Sequence, residues 1–314
     1  MVIQPLDRKL LRDIWRLRGQ GLAIALIVAS GVAVLVMSLS AMQALQDSSA
    51  TFYDRYRFAD VFAGVKRAPL RLQGEIGAID GVALADLRVV RLAVLDMADL
   101  REPVIGRLVS VPDDGELLLN GLALRQGRLP EAAASDEVVV SEPFAEAHDL
   151  QLGDRFGGLL NGRRRDLEVV GVALSPEFVY AIGPGALMPD AEHYGILWMS
   201  RKALAAAYDL EGAFNDVSLS LWPGYQAEAV IPALDRLLAP YGGIGAYGRD
   251  DQISHWFLAN EIKQLQTLAR ILPTIFLVVA AFLTNMVLAR LVFMERSEIG
   301  LLKAFGYSNL SVVW

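Results

Sequence analysis

The side chains able to do chemistry are few, and their spacing argues against catalysis. An ATP-hydrolysing P-loop needs a glycine-rich turn that exposes backbone amides, then a lysine followed by serine or threonine to hold phosphate and magnesium. Lys9, Lys66, Lys202, Lys263 and Lys303 each lack both the preceding glycine and the following hydroxyl. Nucleotide work is therefore expected on another chain or in sequence beyond Trp314. His148, His193 and His255 are far apart, and none stands in an HxxH or HExxH arrangement. His148 lies beside Glu142, Glu146 and Asp149, a grouping that reads as a solvated helix face. Ser141-Glu142 offers a hydroxyl without a base known to be near it. Cysteine is absent, which removes disulfides, thiolate metal sites and thiol nucleophiles. No catalytic, cofactor-binding or metal-binding constellation is expected in this chain.

What the chain does carry is a grip. Met294 to Ser308 reads MERSEIGLLKAFGYS. In it Ile299, Leu302 and Phe305 recur at helical spacing, Glu295, Arg296, Glu298 and Lys303 supply polar contacts, and Gly306 offers a left-handed stop. This short amphipathic helix follows an apolar run, Ile271 to Ala289, long enough at about 20 residues to cross a bilayer. Gly21 to Met42 is a second such run, free of charge and worth about 33 Å of helix. These two runs explain a hydrophobic content of 54% and a mean hydropathy of +0.37, high for a soluble protein. The first run is longer than the apolar core of a cleaved signal and lacks a clear small-x-small cleavage site, so it is read as retained. Arg8, Lys9, Arg12, Arg16 and Arg18 precede it against only Asp7 and Asp13, which predicts a cytoplasmic N-terminus. Two spans return the chain, so the long middle faces the extracytoplasmic side and Met294 to Ser308 the cytoplasm. A net charge of −7 argues against nucleic-acid binding, which needs a basic face.

The predicted organisation is a basic amphipathic helix over 1–20, a span over 21–42, an extracytoplasmic α+β domain with stalk helices over 43–270, a second span over 271–293, the amphipathic helix over 294–308 and the start of a truncated third span over 309–314. Leu6, Leu10, Ile14 and Leu17 share one side of the first segment, which suits either a helix on the inner membrane surface or a basic flank with accidental periodicity. Gly21, Ala25, Ala29 and Ala33 recur every fourth residue, a small-residue stripe where a helix of this or another chain could approach. The alternative is the ordinary abundance of small residues in membrane helices. Stalk patterns run outward through Met42 to Tyr56 and inward from Trp256 to Leu268, with Pro273 as a candidate kink.

Between the stalks, Asp60 to Lys66, Val82 to Leu95 and Val104 to Val111 alternate as strands do, Leu70 to Ile79 reads as a short helix, and Asp80-Gly81 as a turn. A mostly-β insert is expected over about 117–179, with a hairpin at Asn161-Gly162. The first unit then resumes with a strand at Ile196 to Met199, a helix capped by Ser200, a strand at Val217 to Leu221 and a helix over Tyr225 to Leu238. Arg163, Arg164 and Arg165 could meet an anionic headgroup or an acidic partner, or simply protect a strand edge. Phe178, Val179, Tyr180 and Ile182, next to Gly183-Pro184-Gly185, make an apolar loop that either contacts a partner outside the membrane or packs over its own domain.

With those residues in place, the chain resembles the FtsX/MacB-like permeases of ABC transporters. The resemblance covers nearly all of it, most specifically in ERSEIGLLKAFGYS, and also in NGLALRQGRLP at Asn120 to Pro130 and EVVVSEPFAEAHDLQLGDR at Glu137 to Arg155. It implies a membrane protein with α-helical transmembrane segments plus an α+β extracytoplasmic domain, the MacB-like periplasmic core domain, in a bacterial plasma (inner) membrane. It implies a non-catalytic transport subunit, with ATP and magnesium held by a partner ABC ATPase, and a second permease copy or half, membrane lipid and a periplasmic adaptor as further partners. It assigns ATPase-coupling roles to Glu295, Arg296, Glu298, Ile299, Gly300, Leu302, Lys303, Phe305 and Gly306. The action implied is mechanotransmission, ending in movement of a lipid, lipoprotein, peptide or drug. Members of the family continue with further spans, so a longer protein is expected. A two-span sensory receptor is the alternative, and a tethered extracytoplasmic enzyme a third; the receptor calls for a signalling domain where this chain turns apolar again at Leu310 to Trp314.

Overall fold

The computed structural model describes residues 5–97 and 102–306; the expected third span over 309–314 lies outside them. The chain divides into two compact units, Met1–Gln46 with Ile262–Trp314, and Asp47–Glu261.

The elements, in chain order, begin with α1 (Pro5–Arg55), β1 (Val61–Pro69), α2 (Gln73–Gly77), β2 (Val82–Arg88), β3 (Val90–Asp96), β4 (Val104–Val111) and β5 (Ala123–Gly127). They continue with β6 (Glu137–Ser141), α3 (Glu142–Ala147), β7 (Arg155–Leu160), β8 (Arg163–Leu174), β9 (Tyr194–Ser200), α4 (Arg201–Ala207) and β10 (Ala213–Leu221). The last are α5 (Ala227–Leu238), β11 (Gly243–Gly248), α6 (Ile253–Met294) and α7 (Arg296–Ala304).

In the first unit, the apolar stretches of α1 and α6 are both long and apolar enough to cross a membrane. Leu22, Leu26 and Met37 on α1, and Ile275, Val278 and Phe282 on α6, are exposed; so much apolar surface calls for lipid or a partner helix. Gly31 is buried, and a Cβ placed there would sit 3.5 Å from Phe276 Cβ, so the two helices approach at this glycine. The stripe of Gly21, Ala25, Ala29 and Ala33 is exposed instead. Helix α1 runs without interruption through residue 20, and α6 runs through Pro273 as one helix. The basic segment over 1–20, expected as a separate helix, is therefore one helix with the span from Pro5 onward.

In the second unit, an antiparallel sheet of order β11-β1-β10-β2 is covered by α2 and α5. Val230, Leu234 and Leu238, four residues apart on α5, are fully buried and meet Val61, Val65, Ile76 and Phe214 in one core. Burying each such side chain stabilises the fold by about 1.5–3 kcal/mol. The second sheet has the order β5-β8-β6-β9-β4-β3-β7, and β7 also pairs with β8, so that six strands close on themselves. Closure removes the exposed edges that those strands would otherwise present. All seven residues of β9 are buried, because its two faces meet two different cores, Leu197 and Met199 in one and Ile196 and Trp198 in the other. That explains its unbroken apolar run.

The β insert is larger than the sequence predicted. β3, β4 and β9 belong to it, not to the first α+β unit. The expected strand over Val82 to Leu95 is two strands in two sheets, broken at Val89. Side chains hold the crossing: Ser110 Oγ accepts from Val89 N at 2.9 Å, Asn215 Oδ1 accepts from Val90 N at 2.8 Å, and Asn215 Nδ2 donates to Val90 O at 2.7 Å. The Asn161-Gly162 hairpin stands as predicted, with φ of 48° and 77° at its two corner residues, the left-handed pair that a tight two-residue turn requires. Ser200 caps α4 by accepting from Ala203 N.

Candidate functional site

A buried polar hub lies where β2 ends, in the unit Asp47–Glu261. Arg88 is the last residue of β2 and only 5% exposed. Its Nη1 donates to Glu177 Oε2 at 2.5 Å and its Nη2 to Glu177 Oε1 at 3.0 Å, while Nε and Nη2 both reach Asp216 Oδ1, at 2.9 and 2.6 Å. A withdrawn guanidinium survives only with its donors answered in this way. Burial works against its charge, but the facing Asp216 and Glu177 outweigh that and hold its pKa well above the ordinary arginine value. Burial pushes the neighbouring Asp86 carboxyl up, against the pull of Arg88 and Arg201.

Asn120 and Gln252 extend the hub to the helices. Asn120 Nδ2 donates to Glu177 Oε2 at 2.9 Å and to Ser218 Oγ at 3.2 Å, its Oδ1 accepts from Ala59 N at 2.9 Å, and its own N donates to Arg57 O at 3.0 Å. It thereby ties the segment that leaves α1, residues 57–59, to Glu177. Gln252 does the same for α6: its Oε1 accepts from His255 N at 2.8 Å in the first turn, and its Nε2 donates to Glu177 O at 2.7 Å. Tyr180 N donates to Ser254 Oγ at 2.9 Å, and the Tyr180 hydroxyl reaches Glu261 farther along α6. That hydrogen bond, aided by burial, pushes the Tyr180 pKa up to about 12. His255 packs between Tyr53, whose hydroxyl is 3.2 Å from Nδ1, and Asp250; burial, helped by Arg249, lowers its pKa.

The apolar loop is folded into this arrangement. Phe178 and Ile182 are buried and Val179 and Tyr180 half-buried, so these four side chains pack on their own domain. The exposed apolar side chains of the segment are Leu187 and Met188, at 87% and 73%. Arg164 pairs with Asp96 at 2.8 Å beside the β7–β8 hairpin, which suits a strand-edge role. The histidines are held apart: His148 by Glu192 O, His193 by Asp190, His255 by Tyr53. Among the described residues no group of three or more His, Asp and Glu side chains could hold a metal ion.

The segment Met294 to Ser308 begins with a break in the helix at Glu295 and continues as α7. Gly306 has φ +87° and donates to Lys303 O at 3.0 Å, the left-handed stop that its sequence position foretold. Ile299 is half-buried; Arg296, Glu298, Gly300, Lys303 and Phe305 are exposed, Phe305 at 75%. The Leu302 side chain lies outside the described residues. Small-residue positions 21, 25, 29 and 33 line an open apolar groove with Ile24, Val28, Val32 and Val36. The residues to which the resemblance assigns coupling thus lie on one short helix or at its two ends, whereas the hub escaped sequence reasoning. Its one signal was a charge inside an apolar strand or loop, Arg88 in ADLRVV and Glu177 in SPEFVY.

The family model described as MacB-like periplasmic core domain matches residues 22–237, more than half of the chain. No curated protein matches significantly. Among solved structures, the extracellular domain of the noncanonic ABC-type transporter YknZ from Gram-positive bacteria is 14% identical over 60% of this chain and 98% of that one, with a TM-score of 0.39. The periplasmic region of MacB from Actinobacillus actinomycetemcomitans is 12% identical over 63% of this chain and 92% of that one, also with a TM-score of 0.39. By the match of the family model, the chain belongs to the MacB-like periplasmic core domain family, and so to the FtsX/MacB-like permeases of ABC transporters.

Proposed function

We propose that this permease-type subunit couples ATP binding and hydrolysis on a separate ABC ATPase to movement of a hydrophobic substrate, a lipid, lipoprotein, peptide or drug, at the extracytoplasmic face. The observation that carries the reading is α7: a short helix set off from α6 at Glu295, stopped by Gly306, and presenting Leu301, Lys303 and Phe305 to solvent. Glu295, Arg296, Glu298, Ile299, Gly300, Leu302, Lys303, Phe305 and Gly306 form the surface that the ATPase grips. ATP and magnesium belong to that partner. The basic flank at Arg8 to Arg18 supports a cytoplasmic N-terminus in a bacterial inner membrane. A second permease copy or half suits the open groove on α1, lipid suits the exposed faces of α1 and α6, and a periplasmic adaptor suits Leu187 and Met188.

The mechanism follows from rigidity. Closure of the ATPase pair displaces α7, α6 carries the displacement along its length, and Gln252, bonded to His255 N on one side and to Glu177 O on the other, passes it on. Because Glu177 is also bound by Arg88 and Asn120, the sheets and the end of α1 move with it. No polar path through the spans is needed for such transmission.

The test is co-purification of the intact protein from membranes in mild detergent. A small P-loop ATPase is expected to accompany it. Phe305→Ala and Glu298→Lys are expected to weaken that association about tenfold, the loss of one good contact, with the circular dichroism of the protein unchanged. Full association in both variants removes α7 from the role. Signalling proteins in place of an ATPase favour the receptor alternative.

A further inference from the structure

Arg107, in the middle of β4, is a second cation placed where its strand is otherwise apolar. Its Nε is shut off from solvent and has no hydrogen-bond partner among the described residues. The protein gives it the Tyr194 hydroxyl and the Phe178 ring, whose centroid lies 5.5 Å from the guanidinium carbon. Burial works against its charge, and the facing Tyr194, Asp216 and Glu177 outweigh that. Arg107 is thus a retained cation at a half-buried position with one donor, Nε, left without a partner among the described residues.

Arg107 lines a cleft of about 610 Å³ between the two sheets, within the 300–1,000 Å³ range of small-molecule sites. Arg91 lines it too, and the carboxylate in its wall, Asp216, already takes two donors from Arg88. Because Arg88 is shared with Glu177, the three arginines Arg88, Arg91 and Arg107 stand against the two carboxylates of Asp216 and Glu177, and the balance around the cleft is positive by one charge. Apart from Asn215, the rest of the lining is largely apolar. Ile244 from β11 is 80% exposed and Leu92 from β3 is 48% exposed. Ile244 lies across Gly64, where a Cβ would come within 2.7 Å of Ile244 Cδ1; glycine there lets the isoleucine lie flat. Tyr247, stacked on Phe62 at 5.7 Å, completes an apolar side.

We propose that this cleft binds a small anionic amphiphile, a carboxylate or phosphate monoester bearing an apolar chain, with its head on Arg107 and Arg91 and its chain between Leu92 and Ile244. Charge complementarity selects the head, because a bidentate guanidinium matches either anion. The exposed Ile244 and Leu92 select the chain. Under the permease reading this names the chemistry handled by the domain, but the binding requires neither an ATPase nor α7.

The experiment uses the intact chain in nanodiscs of neutral phosphatidylcholine and a photoreactive eight-carbon carboxylate, with labelled peptides identified by mass spectrometry. Saturable labelling is expected on peptides containing Leu92 and Ile244. Arg107→Met is expected to reduce it about tenfold, the loss of one charge-assisted pair, and Arg107→Lys, which keeps the charge but not the planar fork, to recover only part of it. Ile244→Glu, at an exposed position that burial does not constrain, puts a carboxylate at the cleft and is expected to abolish labelling even if Arg107→Met fails to fold. Competition by octanoate or by octyl phosphate tells which head is preferred, and either supports the site. Equal labelling by a neutral eight-carbon alcohol probe, undiminished labelling in Ile244→Glu, or labelling confined to α1 and α6 overturns it. Loss of ATPase association in the α7 variants leaves this result untouched, so the two readings fail separately.

Discussion

Arg88 shows how one residue can fix a junction. Its charge is neutralised by two carboxylates that it meets through three nitrogens, and the Glu177 carboxylate is shared with Asn120. Such a group is expensive to break and cheap to replace. Arg88→Met is expected to destabilise the protein by about 3–5 kcal/mol, because Glu177 and Asp216 are left buried without a counter-charge. Adding Glu177→Gln and Asp216→Asn is expected to restore at least half of that, since both buried charges are then removed and the amide oxygen of Glu177→Gln still accepts from Asn120. Urea unfolding of the intact protein in mild detergent, followed by near-ultraviolet circular dichroism, measures both. A triple variant as unstable as the single one would place the cost in lost packing of the Arg88 stem. The charge inside an apolar stretch was the one local signal, and it does not decide the case: a lone arginine at the end of a strand has the same sequence signature whether it is solvated or buried.

At the scale of elements, the second sheet depends on close approach of backbones. Gly127 ends β5 with φ +75°, and a Cβ there would lie 2.2 Å from the Val170 carbonyl oxygen on the neighbouring β8. Glycine is required twice, by conformation and by space. Gly127→Ala is expected to cost about 1–3 kcal/mol and to detach β5. Amide exchange should then rise over 123–127 while the strands around β9 keep their protection. Wild-type exchange across β5 would show that the strand shifts to accept the methyl. Other elements were legible beforehand because their determinants are neighbours in sequence. Ser200 caps the helix that follows it, Asn161-Gly162 turns its own hairpin, and Gly306 stops the helix that precedes it. The strands β3, β4 and β9 were misassigned for the opposite reason: their local alternation suits either sheet, and pairing across a gap such as that between Val109 and Trp198 decides.

For the molecule as a whole, the balance of charge around the first apolar run sets an expectation of topology. Protease added outside intact spheroplasts is expected to cut in the exposed turns at 113–116 and 185–190 and to spare α7. The cores of the second sheet should survive as fragments, because closed strands expose few cleavable edges. Protection of both turns, with cleavage at α7 instead, reverses the orientation. A membrane protein with an extracytoplasmic domain also accounts for the contrast between the two units, one with apolar side chains exposed along its helices and one with apolar side chains gathered in cores.

The sequence by itself determined what depends on residues within a turn or two of one another: two apolar helices, the amphipathic α7 with its glycine stop, the caps and the hairpin. The tertiary structure alone decided that the close approach of α1 and α6 falls at Gly31 and not on the stripe beginning at Gly21, because which face of a helix is covered is set by its partner. It alone decided that the loop at Phe178 turns inward and that the insert takes in β3, β4 and β9. It also assembled the hub, in which Arg88 meets Glu177 across 89 positions and Asp216 across 128. The physical reason is the same throughout. Periodicity records which face of an element is apolar, whereas burial of a charge and the choice of a strand's neighbour depend on partners that only the folded chain brings within bonding distance.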